Sequence, residues 1–320
     1  MPVIQWNGKP VSRPGIYRDI PMRNDAGTGY HQNVAVGPSI SSSGVRTIFA
    51  QSAAHYFAGS YLNPNAEPDK ESEPLLFGRA AHHLLLGEAD FQKHFVIRPE
   101  TYLDAEARSK PWNANAGTCR AWLAEAKAAG LSVLTLAQLT RIRGMAESLK
   151  VEPLIRAGIL NGCIEHSIIW RDEESGVWLK VRPDAIPAVD MSFADLKTIE
   201  DITDDGIERA ISDRDLHVQG ALVGMAARAV LGREMESFSL VFVEKSAPFC
   251  VRVRELTPAD LELGERQIRA VLPIFAAAVK SGVWHGPGGG QVDAQFAEVT
   301  PWRRKAIERR LQILAGEASL

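Results

Sequence analysis

Residues 182 to 200 read RPDAIPAVDMSFADLKTIE, and the fold turns on this stretch. Its second half, MSFADLKTI, is short and apolar at most positions and is expected to be a strand. On a strand, side chains two apart share a face, so Asp195 and Lys197 project together, and Asp184 on the preceding strand is close enough to converge with them. Two acids at one sheet edge offer hard oxygen ligands for Mg²⁺ or Mn²⁺. A lysine beside them can orient or activate a water and stabilise negative charge on a phosphate, which is the equipment of phosphodiester hydrolysis. Taken alone, the triplet fits better with an acid in a turn after Pro183 and a solvated Asp195–Lys197 pair on an edge strand, because such short patterns are common. The rest of the chain has to decide.

Upstream, CIEHSIIW (163–170) and VWLKVRPDAI (177–186) flank the turn-like DEESG, so with MSFADLKTI they are expected to form three neighbouring strands. Downstream, a helical stretch over about 205–231 precedes SFSLVFVEK and FCVRVREL, a hairpin around SAP. Thr257 and Pro258 cap and open a long helix reaching about Val279. Nearer the start, Val45, Ile48, Phe49 and Phe57 trace one helical stripe behind Ser41, Ser42 and Ser43. After the polar loop NPNAEPDKESEP (63–74), LLFGRAAHHLLLG reads as a buried helix ending at Gly87 and carrying His82 and His83. From 116 to 160 the pattern stays helical, with Thr135 and Gln138 spaced as a capping box.

The chain divides into an irregular arm over 1–38, a domain over 39–285, and a Gly-rich linker with a basic helix over 286–320, where GPGGG precedes WRRKAIERRLQIL. With 320 residues, 45% of them hydrophobic, it can bury a core without disulfides or a structural metal. Its 36 basic and 39 acidic residues leave a net charge of −3, which excludes a histone-like binder and leaves only local basic patches. Cys119, Cys163 and Cys250 are scattered and are expected to be reduced, buried thiols, giving no zinc or iron–sulfur site. Neither a signal peptide nor a membrane span is expected, and a cytoplasmic location follows.

These elements carry a resemblance. GRAAH with Gly78 four residues before His82, then Glu165, Asp184 in RPD, Asp195-Leu196-Lys197-Thr198, and Gln219 occur in the order of the RecB-like branch of the PD-(D/E)xK nucleases. Within it the chain resembles the RecE-type exonucleases (exodeoxyribonuclease VIII) of prophages over about 38–285. SISSSGVRTIFAQSAAHY matches their Ser-rich helix start and S-P-A-H-Y element, with Ala53 where proline is usual. Val223 stands where those enzymes often have tyrosine.

The resemblance implies an α/β fold, a PD-(D/E)xK restriction-endonuclease-like core with a small mixed sheet flanked by helices. It implies that His82, Asp184, Asp195 and the Leu196 carbonyl bind Mg²⁺ or Mn²⁺, that Lys197 positions the attacking water, that Glu165 holds a second metal or organises the site, and that Gln219 bonds near the scissile phosphate or Lys197. Side chains of His82 and His83 point about 100° apart on a helix, and only His82 has the family spacing, so His83 is assigned to the core. The implied activity is Mg²⁺-dependent 5′ to 3′ digestion of double-stranded DNA ends in phage or prophage recombination, inside a bacterial host cell, with a RecT-like single-strand annealing partner and a homo-oligomeric ring. An endonuclease or repair enzyme of the same fold, or a catalytically silent DNA-end-binding component, are the rivals.

Three groups are candidates for DNA contact. Ser43 and Arg46 at a helix start could hold a terminal phosphate; Arg108, Lys110 and Trp112 combine charge with a stacking ring; and Arg303, Arg304, Lys305, Arg309 and Arg310 populate the last helix, opposite Trp302, Ile307, Leu311 and Leu314. That helix is expected either to pack on its own sheet or to reach a neighbouring subunit.

Overall fold

The computed structural model describes residues 2–67, 72–87, 91–291, 293–294 and 296–317; residues 68–71 of the expected polar loop lie outside them. In chain order, β1 (Val3–Gln5), β2 (Gly15–Arg18) and β3 (Ser39–Ile40) lead into α1 (Ser42–Ala50) and α2 (Ala53–Ala58). Next come α3 (Glu73–Leu85), α4 (Phe91–His94), β4 (Phe95–Ile97), β5 (Thr101–Leu103), β6 (Ser109–Pro111), α5 (Gly117–Ala128), β7 (Ser132–Leu134), α6 (Leu136–Val151) and α7 (Pro153–Arg156). The second half runs β8 (Cys163–Ile164), β9 (Ser167–Arg171), β10 (Trp178–Val181), β11 (Ala185–Ile186), β12 (Ser192–Ile199), α8 (Asp204–Asp213), α9 (Leu216–Ala226), β13 (Ser237–Glu244), β14 (Val251–Glu255), α10 (Pro258–Ser281) and α11 (Pro301–Glu317). This is the expected α/β arrangement of small sheets flanked by helices.

The sheet that carries the site is β12-β13-β14. β12 pairs in parallel with β13 because α8 and α9 cross over between them, the connection a parallel pair requires. β13 then pairs antiparallel with β14 as the expected hairpin. Both faces are covered. Ala194 and Leu196 of β12 pack with Phe77 and Ala80 of α3 and Ile142 and Met145 of α6, whereas Phe193 and Ile199 pack with Leu222 of α9 and Ile268 of α10. Asp195 and Lys197 share the face of Phe193, so they are aimed under α9.

A second sheet has the order β1-β2-β9-β10-β3. The three segments expected as neighbours therefore divide: β9 and β10 pair with each other, while β12 belongs to the other sheet. Each of the first two also splits. Glu165 takes a left-handed φ of 53° between β8 and β9, and Pro183, without an N–H, sits between β10 and the short β11. The 1–38 segment is not irregular throughout, since β2 pairs with β9 and Tyr17, Ile20, Tyr30 and Val34 are buried with Ile169 and Trp178.

Several helices are shorter than their sequence pattern. The expected single helix over 45–57 breaks at Ser52, whose hydroxyl accepts from the His55 amide and restarts the chain as α2, leaving Phe49 exposed. β7 interrupts the 116–160 stretch, and the 205–231 stretch breaks at Asp215, which has a φ of 45°. The Thr135–Gln138 capping box is present in full. α3 ends at Leu85, with Gly87 at a φ of 69° just beyond it. Of the cysteines only Cys119 is buried; Cys163 is half-buried and Cys250 exposed, because β14 lies at a sheet edge. No residue of α11 is buried, so it does not pack on its own sheet. Among the described residues, no helix is long and apolar enough to cross a membrane.

Candidate active site

β12 supplies Asp195 and Lys197, and the segment between β10 and β11 supplies Asp184. Pairing of β11 with β8 holds that segment in place, with the Glu165 amide donating to the Asp184 carbonyl at 3.0 Å. The Leu196 amide of β12 donates to Asp184 Oδ2, which ties the two acids to one strand end. His82 reaches in from α3, its Nδ1 3.5 Å from Asp184 Oδ1. Ligand atoms of His82, Glu165 and Asp184 all lie within 4.8 Å of one another. Asp195 Oδ1 accepts from Gln219 Nε2 of α9 at 2.6 Å, and Asp195 Oδ2 forms an ion pair with Lys197.

All of the expected chemistry residues thus converge, in two linked groups. His82, Glu165 and Asp184 form the cluster able to hold a metal, while Asp195 is turned toward Lys197 and Gln219. Leu196 meets Asp184 through its amide. His83, by contrast, is buried against the rings of Phe91, His94 and Phe95 at 5.8, 5.4 and 5.7 Å. Val223 lies fully buried in the core on α9.

The electrostatics of the cluster are unbalanced. Burial pushes the Asp195 carboxyl up, and the neighbouring Asp184 charge pushes it further, against the pull of Lys197. Burial acts on Asp184 too, but His82, Lys197 and the Leu196 amide together hold it below the usual carboxylate range. Burial alone would lower the His82 imidazole, yet the Asp184 carboxylate raises it to about 9. Asp195 is only 1% exposed, and its Oδ2 receives no well-directed hydrogen bond. Two carboxylates and an imidazole around one point, with the Asp195–Lys197 pair adjoining them, fit a divalent cation.

The DNA candidates separate. Ser43 lies in the first turn of α1. Arg46 turns elsewhere, its Nε on the Ser42 carbonyl at 3.3 Å and its guanidinium on the Arg214 carbonyl, close enough to Asp215 and Asp195 to feel their charge. Arg108 is engaged by Asp104 at 2.8 Å and Glu106 at 2.5 Å on the β5–β6 hairpin. Lys110 is exposed on that hairpin, and Trp112 packs edge-on to Trp122 at 5.4 Å with Arg98 over its ring at 5.4 Å.

Sequence reasoning passed over Arg182. A cavity of about 730 Å³ opens beside the acids, lined by Arg79, His82, Glu165, His166 and Arg182. Arg182 is pinned by Ser167 Oγ at 2.9 Å and the Ile20 carbonyl at 2.7 Å and stacks over Tyr30 at 4.7 Å. Its position two residues before Asp184 was the available signal.

Comparison with known proteins agrees with this geometry. The family model described as a PDDEXK-like domain of unknown function (DUF3799) matches residues 41–294. Among solved structures, a protein of Eubacterium rectale named "Putative exonuclease" is similar with a TM-score of 0.54 and 15% identity, over 82% of this chain and 91% of that one. That likeness is one of fold. No curated protein matches the chain.

Proposed function

Since the chain belongs to the PDDEXK-like domain family (DUF3799), we propose that it is a nuclease, a Mg²⁺- or Mn²⁺-dependent exonuclease on double-stranded DNA working 5′ to 3′. The convergence of His82, Glu165 and Asp184 on one point, with Asp195 and Lys197 on the adjoining strand, supports metal-dependent phosphodiester hydrolysis, while exonuclease action on duplex ends and its polarity rest on the RecE-type resemblance. His82, Glu165 and Asp184 would hold the ion, with Asp195 and the Leu196 carbonyl as further ligands. When bound, it supplies positive charge that polarises the phosphodiester and lowers the pKa of a water.

The chain's own groups do the rest. Lys197, gripped by Asp195, presents an ammonium that orients the attacking water and offsets charge growing on the phosphate. Gln219 fixes the other oxygen of Asp195, so the pair keeps one geometry. Asp184, anchored by the Leu196 amide, stays ionised. His82 is oriented by Asp184 and closes the cluster from the helical side.

The RecE-type resemblance supports a role in phage or prophage recombination in the cytoplasm of a bacterial host, with a single-strand annealing partner and a homo-oligomeric ring. Head-to-tail contacts would close such a ring, and enclosing the duplex would offset the weak phosphate attraction of a net-acidic chain. Incubating end-labelled linear duplex and a closed circle, each with and without Mg²⁺, tests the reading. Metal-dependent release of nucleotides from the linear duplex alone is expected; nicking of the circle at a comparable rate would make the protein an endonuclease.

A further inference from the structure

The arm over residues 2–38 lies ahead of the matched family region, which begins at residue 41, yet it builds one wall of the cavity beside the acids. β2 brings it there. Tyr17 pairs with Ser167, two residues beyond Glu165, and Asp19 takes a left-handed φ of 64° that turns the chain out of the strand. Asp19, Ile20, Pro21 and Met22 then line the cavity of about 730 Å³ that also holds His82, Glu165 and Arg182. The turn beyond them is closed by its own bonds. The Tyr30 amide donates to the Pro21 carbonyl at 2.8 Å, the His31 amide to the Met22 carbonyl at 2.9 Å, and Gln32 Oε1 accepts from the Asn24 and Gly29 amides at 2.8 and 3.1 Å. A wall braced in this way keeps its shape without substrate.

Arg182 joins the wall to the metal cluster. Its guanidinium nitrogens are all engaged: Nε donates to Ser167 Oγ at 2.9 Å, Nη2 to the Ile20 carbonyl at 2.7 Å and Nη1 to Met22 Sδ at 3.3 Å, with the plane over the Tyr30 ring. Lys180, two residues earlier, adds a second tie through the Tyr30 carbonyl at 2.5 Å. Pro183, whose ring fixes φ, separates Arg182 from Asp184, and Ser167 stands two residues from Glu165. One guanidinium thus bridges the segments that carry two of the three cluster ligands. Glu165 needs such support, because its left-handed φ of 53° is unfavourable for a residue with a side chain and persists only where the surroundings enforce it.

We propose that the arm is a working part of the active site: Arg182 is a positioning residue that locks it to the Glu165 and Asp184 segments, and the Ile20–Met22 wall faces the DNA strand being cut. The proposal rests on the nuclease reading and makes the arm a determinant of both metal affinity and substrate grip. The wall suits a nucleoside beside the phosphate at the metal. Pro21 and the half-exposed Met22 offer apolar surface to a base or sugar, while Asp19 is turned toward Arg18 at 4.0 Å. The cavity lies within the range of roughly 300–1,000 Å³ that takes one small ligand, too little for a duplex.

Two measurements on the full chain test this. Mn²⁺ binding is followed by calorimetry without DNA, and binding of a short duplex is followed in the Asp195→Asn background, so neither depends on cleavage. Arg182→Lys keeps the charge but loses the planar fork, and in folded protein it should raise the Mn²⁺ dissociation constant roughly ten- to hundredfold, the cost of losing a group that orients metal ligands. Ser167→Ala removes one of the same bonds and almost no volume, so it folds even if the first variant does not, and should shift the constant in the same direction. Met22→Ala, at an exposed position, should weaken duplex binding roughly three- to tenfold and leave Mn²⁺ binding within about twofold. Wild-type Mn²⁺ affinity in both Arg182→Lys and Ser167→Ala would overturn the positioning role. Weaker duplex binding by Arg182→Lys with Mn²⁺ affinity unchanged would overturn it too, making Arg182 a direct phosphate contact. Unchanged duplex binding by Met22→Ala would overturn the wall. A protein that meets these expectations yet cuts no DNA with Mg²⁺ or Mn²⁺ would refute the nuclease reading alone.

Discussion

Replacing Lys180 by methionine should remove much of the protein's gain in stability toward alkaline pH. In the folded chain this lysine is lowered from 10.5 to about 7, by burial first and then by Arg182 and Arg23. The other groups facing it are Tyr30 and Tyr61, which its ammonium overlies, and His31 and His55 of the cavity beside it. Burial holds the Tyr30 hydroxyl above its ordinary range, so it does not titrate near neutrality. Between the two values the unfolded chain keeps a proton that the folded chain has released, so the unfolded state binds more protons and stability rises with pH. Each pH unit contributes up to about 1.4 kcal/mol, and integrating from about pH 6 to 9.5 gives about 3 kcal/mol. Methionine fills a similar volume and carries no proton. Denaturant unfolding of both proteins across this range, with one curve subtracted from the other, cancels the titrations they share. The difference should shift by about 3 kcal/mol in favour of wild type as pH rises. A flat or falling difference would refute the claim that Lys180 is a buried, unneutralised ammonium.

His82→Ala should need more Mg²⁺ or Mn²⁺ for half-maximal activity, whereas His83→Ala should keep the wild-type metal response and lose roughly 2 kcal/mol of stability as its ring leaves Phe91 and Phe95; the reverse pattern would exchange their roles. A Cβ at Gly264 would stand 2.8 Å from the His217 carbonyl oxygen and 2.9 Å from Ala221, so Gly264→Ala should cost about 1–3 kcal/mol by forcing α10 off α9. Gly78→Ala meets nothing closer than Thr198 Oγ1 at 3.9 Å and should be neutral or stabilising by up to about 1 kcal/mol, as urea midpoints would show. Light scattering of the full chain and of a version ending near Gly286 tests the ring: a monomer that digests long duplexes processively refutes it, and an oligomer unchanged by truncation removes α11 from the interface.

The chemistry was more legible in the sequence than the sheet order. Asp195 and Lys197 could be placed on one face because strand periodicity is local, and the Thr135–Gln138 and Thr257–Pro258 caps were readable for the same reason. Strand pairing is not local. β2 finds β9 some 150 residues away, so the role of the first 38 residues could not be read from their turn-rich composition. The break between β8 and β9 rests on one left-handed residue, Glu165, which no spacing rule announces. Lys180 left a signal: a lysine inside the apolar run VWLKV, in a strand buried on both faces, has no solvated side to occupy. At the start of α1 the Arg46 guanidinium bonds the Arg214 carbonyl and feels the charges of Asp215 and Asp195, a long-range arrangement that helix spacing does not announce.

The account stands or falls on whether the strand-end acids and lysine perform metal-dependent hydrolysis. Asp195→Asn and Lys197→Ala, each checked for native unfolding behaviour, should be assayed on end-labelled linear duplex over a Mg²⁺ titration beside wild type. Removing charge stabilisation at a phosphoryl centre predicts losses of roughly 10²–10³-fold or more in both, with duplex binding retained. Wild-type rates in either well-folded variant would contradict the site assignment, and a wild-type protein inactive on every DNA at every Mg²⁺ concentration would contradict the nuclease reading itself.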